Sequence, residues 1–271
     1  MEWLIVTLLG ILAGTHTATW GMYKDAIHEG FTFPRYCRSI FLSTVLAPVV
    51  YWVTGLDALR VAHLVVLFGL VYVAERGLTE FWKTYIRTED QSKYFIPMQF
   101  HVFGKVVRSR AVRLAVGIPH AALVVALLFL IDWVQDVNTT VPFWVLVVTL
   151  GSLGGWISAF FGAWKDAPLE GFETFKFFRS PLVAATYALL LSNFTTDLVL
   201  IGLAAEGFTV ATLETWKTFF FPSKPRGKFA GKPILFPKML QMRQYFVPIY
   251  VLIWITVVGG FLLAFLGGEG A

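Results

Sequence analysis

From Trp3 to Tyr23 the chain runs without one Asp, Glu, Lys or Arg, and comparable apolar runs recur along its length. A helix rises about 1.5 Å per residue, so about 20 apolar residues cross the ~30 Å hydrocarbon core of a bilayer. A helix of a water-soluble core has apolar runs of only about 10–14 residues. Composition agrees with the membrane alternative. Of the 271 residues, 57% are hydrophobic and 14% charged, and mean hydropathy is +0.69. Soluble domains carry roughly 25% charged residues. The sequence therefore predicts an all-α, polytopic membrane helix bundle. Only Met1 and Glu2 precede the first run, without the basic segment of a cleaved leader, so that run is read as a span.

Eight spans are expected, at about residues 3–23, 40–55, 59–81, 112–132, 143–164, 181–195, 198–216 and 244–266. The second and sixth are short, and six spans would remain if both were re-entrant. Charge favours eight. With eight spans nearly all Lys and Arg share one side. The other side has Arg60 as its basic residue, beside Glu2, Asp57, Asp132, Asp136, Asp197 and Glu269. Basic loops stay in the cytoplasm, so both termini are expected on the non-cytoplasmic side.

The chain also repeats itself. Trp20-Gly21-Met22-Tyr23-Lys24-Asp25-Ala26 is followed by Glu29-Gly30-Phe31, Arg35 and Arg38-Ser39. At the same spacing, Phe161-Gly162-Ala163-Trp164-Lys165-Asp166-Ala167 is followed by Glu170-Gly171-Phe172, Lys176 and Arg179-Ser180. A second block reads Glu80-Phe81-Trp82-Lys83-Thr84 in one half and Glu214-Thr215-Trp216-Lys217-Thr218 in the other. So many matches at fixed spacing indicate duplication, with one membrane repeat at 1–137 and another at 138–271. An even number of spans per half predicts two parallel tandem repeats of four, related by an axis along the membrane normal.

The charged motif begins where the first span of each half ends, and the second block closes the third span at the same boundary. Lys24, Arg35, Arg38 and Lys83 could converge on an anion, because Arg offers a fixed fork for phosphate or carboxylate and Lys a point charge. Asp25, Glu29 and Glu80 could balance those cations or hold magnesium. Lys165, Asp166, Glu170, Lys176, Arg179, Glu214 and Lys217 offer the same set in the second copy. Gly30 suits a turn of positive φ. A purely structural reading competes. Charged residues at span ends snorkel, Trp and Tyr form interfacial belts, and ion pairs lock helix ends together.

Three residues are unmatched between the halves. Glu206 lies within the seventh span, where the first half has Tyr72, and His16 and His63 lie in spans of the first half only. A carboxylate inside a membrane is a candidate functional group, and histidine changes charge near neutral pH. These three are candidates for ion or proton coupling, against the alternative of packed, hydrogen-bonded side chains.

In the loops Lys83–Arg113 and Lys217–Arg243, Phe95, Phe100, Phe103, Phe219, Phe220, Phe221 and Phe236 interleave with basic residues. Anionic lipid headgroups are the expected partner, and nucleic acid is not. Pro222, Pro225, Pro233 and Pro237 argue against a long helix in the second loop. Gly151 to Gly155 read as close helix packing. Cys37 is the only cysteine, so no intramolecular disulfide forms. The chain has no P-loop, dinucleotide-binding glycine pattern, zinc-binding histidine pair or serine nucleophile elbow, and no cofactor or metal site is identified. Three functions are consistent with these features. The first is transport or conduction of an anionic or phosphorylated solute or ion. The others are a magnesium-dependent enzyme acting on a phosphorylated lipid precursor, and a structural subunit that packs on a membrane protein or on its own copy.

Overall fold

The computed structural model describes residues 1–221 and 227–268. Pro222, Lys224, Pro225, Arg226 and Glu269, named among the sequence features or their loops, lie outside the described residues. The chain is helical nearly throughout. Helices α1 (Glu2–Glu29), α2 (Phe33–Thr54), α3 (Val61–Phe81) and α4 (Arg110–Val137) form the first half. Helices α5 (Phe143–Leu150), α6 (Leu153–Glu170), α7 (Thr174–Leu191), α8 (Leu198–Thr215), the short α9 (Met239–Met242) and α10 (Phe246–Leu266) form the second. One small antiparallel hairpin, β1 (His101–Val102) and β2 (Lys105–Val106), turns at Phe103 and Gly104 with φ of 49° and 77°.

Among the described residues, seven helical segments are long and apolar enough to cross a membrane, with α5 and α6 together forming one of them. The remaining long helix, α7, has 18 residues, about 27 Å at the α-helical rise. The second expected span is longer than hydropathy indicates. Pro34 sits in the first turn of α2, which starts the helix at Phe33 and brings Arg35 and Arg38 inside it. The first is longer too. Helix α1 continues past Lys24 and Asp25 to Glu29, where Gly30 takes φ 74° and ends it. Gly171 repeats this ending after α6 with φ 85°. The fifth span is broken at Gly151 and Ser152, so these residues divide α5 from α6 as well as packing closely.

Apolar side chains gain little by leaving lipid for a protein interior, so close backbone approach matters most in such bundles. Small residues provide it here. A Cβ at Gly14 would lie 2.5 Å from Ile40 Cα, and one at Gly155 would lie 2.6 Å from the Ser180 carbonyl. These contacts join α1 to α2 and α6 to α7. At the centre α3 crosses α8, where a Cβ at Gly207 would lie 2.0 Å from the Gly69 carbonyl. Around that crossing Phe68 stacks on Phe208, and Leu67, Tyr72, Leu198 and Ile201 are fully buried. Helix α10 packs on α1 and α3, while α4 packs on α8 and on the turn after α3. Outward faces carry large apolar residues such as Trp52, Phe129, Trp133, Leu252 and Leu262, all exposed.

The crossing generates a direct test. Gly207→Ala forces backbone apart and should destabilise the purified protein by about 1–3 kcal/mol. Gly259→Ala, where a Cβ meets nothing within 4 Å, should leave the melting temperature unchanged or raise it. Thermal unfolding in one detergent measures both.

Candidate functional site

Helices α3 and α8 each end in a π-helical turn, Trp82–Ile86 and Trp216–Phe220. Both turns fall on the Trp-Lys-Thr block, and π-turns are frequent where helices serve a site. They carry Lys83 and Lys217 to the ends of two separate pockets. The first, of about 110 Å³, lies between α1, α2 and α3, beneath the two long loops. Asp25, Glu29, Arg35, Arg38, Ser39 and Lys83 line it from the first motif and block. Its inner wall reaches Thr17, three helical turns from Glu29, and its outer wall adds Arg76, Arg87, Glu89, Tyr94 and Lys228. The second pocket, of about 90 Å³, is lined at the matching places by Ser158, Asp166, Lys176, Arg179, Ser180 and Lys217.

The two motif lysines do not line these pockets. Lys24 reaches from the first half to Glu214 of the second, 3.3 Å away, and its ammonium lies 4.9 Å from the Trp20 ring. Lys165 of the second half bears electrostatically on Glu80 of the first. Lys24 thus pairs with a carboxylate of the opposite half, and Lys165 lies within electrostatic reach of one. Glu80 also pairs directly with Arg76 and, at 3.1 Å, with Lys83; Glu214 pairs with Lys217 at 3.2 Å. Of the four cations expected together in the first copy, Arg35, Arg38 and Lys83 line one pocket, and Lys24 belongs to the joint between halves.

The carboxylates of the motif have cationic partners. Asp25 accepts from Lys228 at 2.7 Å, and Glu29 from Arg35 at 3.4 Å and Tyr94 at 3.3 Å. In the second copy Lys176 spans Asp166 at 3.5 Å and Glu170 at 2.8 Å. Among the described residues no three His, Cys, Asp or Glu side chains converge as a metal would require. Asp25 and Glu29 are placed as counterions to lysine and arginine.

The loops make the two pockets unequal. Lys228 of the second loop lies 3.9 Å from Glu29, and so does Lys93 of the first loop. Both lysines also sit over the Tyr94 ring, at 5.5 Å and 4.9 Å. A backbone bond from Phe95 to the Lys228 carbonyl, 2.7 Å, ties the loops together. Burial raises the affinity of Glu89 for a proton, but Lys93 and Arg87 outweigh this and hold its carboxyl below the usual range. Burial, together with Glu29 and Glu89, pushes the Tyr94 phenol up. The first loop is pinned by Arg113, which is fully buried and donates to the carbonyls of Tyr85 at 3.2 Å, Val107 at 3.1 Å and Arg108 at 2.9 Å. Its hairpin lies on the end of α6, where Phe100 and His101 stack on Trp164.

The unmatched residues separate. His16 is buried in α1, with Nδ1 3.0 Å from the Tyr72 hydroxyl, which also accepts from Trp20 Nε1 at 3.0 Å. His63 lies at the opposite end of the bundle, where its Nδ1 accepts from the Asp57 amide at 2.9 Å. Glu206 accepts a hydrogen bond from Ser158, at the inner end of the second pocket, and packs against Gly154. Sequence reasoning missed Arg87, Glu89, Tyr94 and Lys228 as lining residues. Tyr94 and Lys228 have one sequence signal, the Lys-aromatic pair that each loop carries, Lys93-Tyr94 and Lys228-Phe229; Arg87 and Glu89 have none.

Comparison with protein-family models, with curated proteins and with solved structures gives no match.

Two outcomes are expected. Lys24→Glu should lower thermal stability, and adding Glu214→Lys should restore part of it, with a coupling of about 0.5–3 kcal/mol in a double-mutant cycle. The second concerns the hairpin. Burial, helped by Lys165, lowers the pKa of His101. Its neutral form therefore favours the folded hairpin. That contribution is present above the ordinary imidazole value of about 6.5 and lost as pH falls below it. Hydrogen exchange over residues 100–107 should accelerate from pH 7.5 to pH 5 beyond the chemical effect. His101→Phe, which keeps the stacking, should remove the excess.

Proposed function

We propose that the chain is a transporter of an anionic solute, built from two parallel repeats, 1–137 and 138–271, with one anion pocket in each. The supporting observation is the pair of pockets. Residues at matched sequence positions line both, and both extend from the charged helix ends inward to a hydroxyl, Thr17 or Ser158. A polar path that enters the bundle suits passage of a solute better than a closed cluster of ion pairs would. On this reading α7 is the eighth span, the motif end is cytoplasmic, and both termini lie on the other side.

Charge supports an anion. Among the described residues, six cations and three carboxylates line the first pocket, a formal +3; three cations and two carboxylates line the second, a formal +1. Pairing of Asp25 and Glu29 with Lys228 and Arg35 favours this over magnesium-dependent chemistry, because lysine occupies the place a metal would take. Glu206 beside Ser158, and Tyr72 with His16 beside Thr17, are the groups next along the path and the candidates for coupling an ion or proton. The loops, with exposed Phe103 and Phe236 among their lysines, suit contact with anionic headgroups.

Reconstitution into proteoliposomes tests the reading. Uptake of labelled phosphate, sulfate or a dicarboxylate should be saturable. Arg38→Ala combined with Arg179→Ala should reduce it about tenfold or more, the effect of losing one charged hydrogen bond per pocket. No flux of any anion, together with purification in fixed stoichiometry with another membrane protein, would favour a structural subunit instead.

A further inference from the structure

Two glycines in the motif have no packing reason to be glycine. Gly10, Gly14, Gly69, Gly155 and Gly207 each admit a neighbouring backbone or side chain so closely that a Cβ would collide. At Gly21 and Gly162 a Cβ would meet nothing within 4 Å, and each lines its pocket. Gly77 and Gly259 also face open space, but neither is among the lining of these two pockets. Inside a helix glycine costs about 0.5–1 kcal/mol relative to alanine. At Gly21 and Gly162 that cost is offset by no contact. What the missing side chain leaves is room in the pocket wall.

The first pocket also holds hydrogen-bonding groups still to be used. The Nε atoms of Arg76 and Arg87 are buried and unpartnered. Their guanidinium groups are held over indole rings, Arg76 at 5.3 Å from Trp20 and Arg87 at 5.5 Å from Trp82. Arg38 lines the same wall. Planar guanidinium forks match the oxygens of a tetrahedral anion. Asp25 adds the opposite function. Its Oδ2 is taken by Lys228, but Oδ1 is buried without a partner. An ionised carboxylate is only an acceptor. It repels an anion with no proton to give and accepts from one that carries an OH. Inorganic phosphate carries that OH throughout at neutral pH and phosphomonoesters carry it in part; sulfate and phosphodiesters do not.

We propose that the first pocket is a site for a phosphate group bearing a P–OH, free or as a monoester. Arg38, Arg76 and Arg87 donate to it, Asp25 accepts from it, and Gly21 leaves room for it. This deepens the anion-transport reading and rests on it for the sign of the ligand charge. Among the described residues, the second pocket has less positive charge and no counterparts of Arg76 and Arg87 on its wall.

The test uses the full chain in nanodiscs of phosphatidylcholine, a phosphodiester, with binding of inorganic phosphate and of sulfate measured by calorimetry at pH 7. Phosphate should bind at least tenfold more tightly than sulfate. Asp25→Asn, whose amide also donates, should bring the two within about threefold. Gly21→Ala should weaken phosphate binding at least fivefold while the melting temperature holds or rises; Gly162→Ala should leave this site unchanged. Including phosphatidic acid separates the sources of the group. Displacement of bound phosphate supports the proposal with a lipid headgroup as ligand, and undisturbed binding supports it with a free solute. Equal affinity for sulfate and phosphate in the unmodified chain, or full phosphate binding in Gly21→Ala, overturns it. Anion flux with no phosphate preference would overturn this inference and keep transport. Phosphate-selective binding without flux would do the reverse.

Discussion

The joint between the halves rests on a charge that cannot be left alone. Lys24 lies within a helix whose continuation is apolar, and an ammonium drawn toward hydrocarbon either snorkels outward or finds a counter-charge. It finds Glu214, on the opposite half, at 3.3 Å. Glu214 is in turn shared with Lys217, one residue into the π-turn that ends α8. Around Glu80 a similar group assembles from Arg76, Lys83 and the field of Lys165. The crossing of α3 and α8 at Gly69 and Gly207 brings the halves close enough for this exchange. It also leaves Asp25, Arg35 and Arg38, the remainder of the motif, turned toward the pocket.

Much of this architecture is legible in the sequence, for one reason. A span needs a minimum length of apolar residues, so long uncharged runs find α1, α4 and α10 without reference to anything tertiary. Hydropathy fails where charge is placed inside a helix. Arg35 and Arg38 belong to the first turns of α2, and Lys24 to Glu29 to the last turns of α1, because the helix boundaries are set by Pro34 and Gly30. The break between α5 and α6 was not legible either. At that break Gly151 lets the chain pack where a Cβ would collide with Val147 O at 2.3 Å and Ala188 Cβ at 2.8 Å.

For the site, the motif marks which residues matter and not which of them meet. Spacing alone suggests that Lys24 and Lys83 share a ligand, since both follow a span to the same boundary. Their partners are decided by how α3 crosses α8, a tertiary fact that no local pattern encodes. The loop residues were beyond reach for a related reason. Arg87, Glu89, Tyr94 and Lys228 come from segments without periodicity, and tertiary bonds such as the clamp of Arg113 on three carbonyls and the backbone bond from Phe95 to Lys228 fix where they lie.

The difference between the halves is more informative than their likeness. The proposed axis would make Lys93 and Lys228 equivalent, yet both are drawn to Glu29 in the first pocket. Exact symmetry would send one to each motif. At the inner ends the asymmetry reverses in kind. Behind Thr17 stands Tyr72, tied to His16 and Trp20. Behind Ser158 stands Glu206, with Ser158 as its hydrogen-bond donor and Gly154 against its stem. Among the described residues, one half therefore has more cations at the mouth and an aromatic network within, and the other has fewer cations at its mouth and a carboxyl group within. A scaffold kept only for packing has no need to diverge at the two ends of the same pocket while preserving the wall between them, Gly21 and Gly162 included. On the transport reading proposed above, that pattern lets the two pockets take different parts in one process.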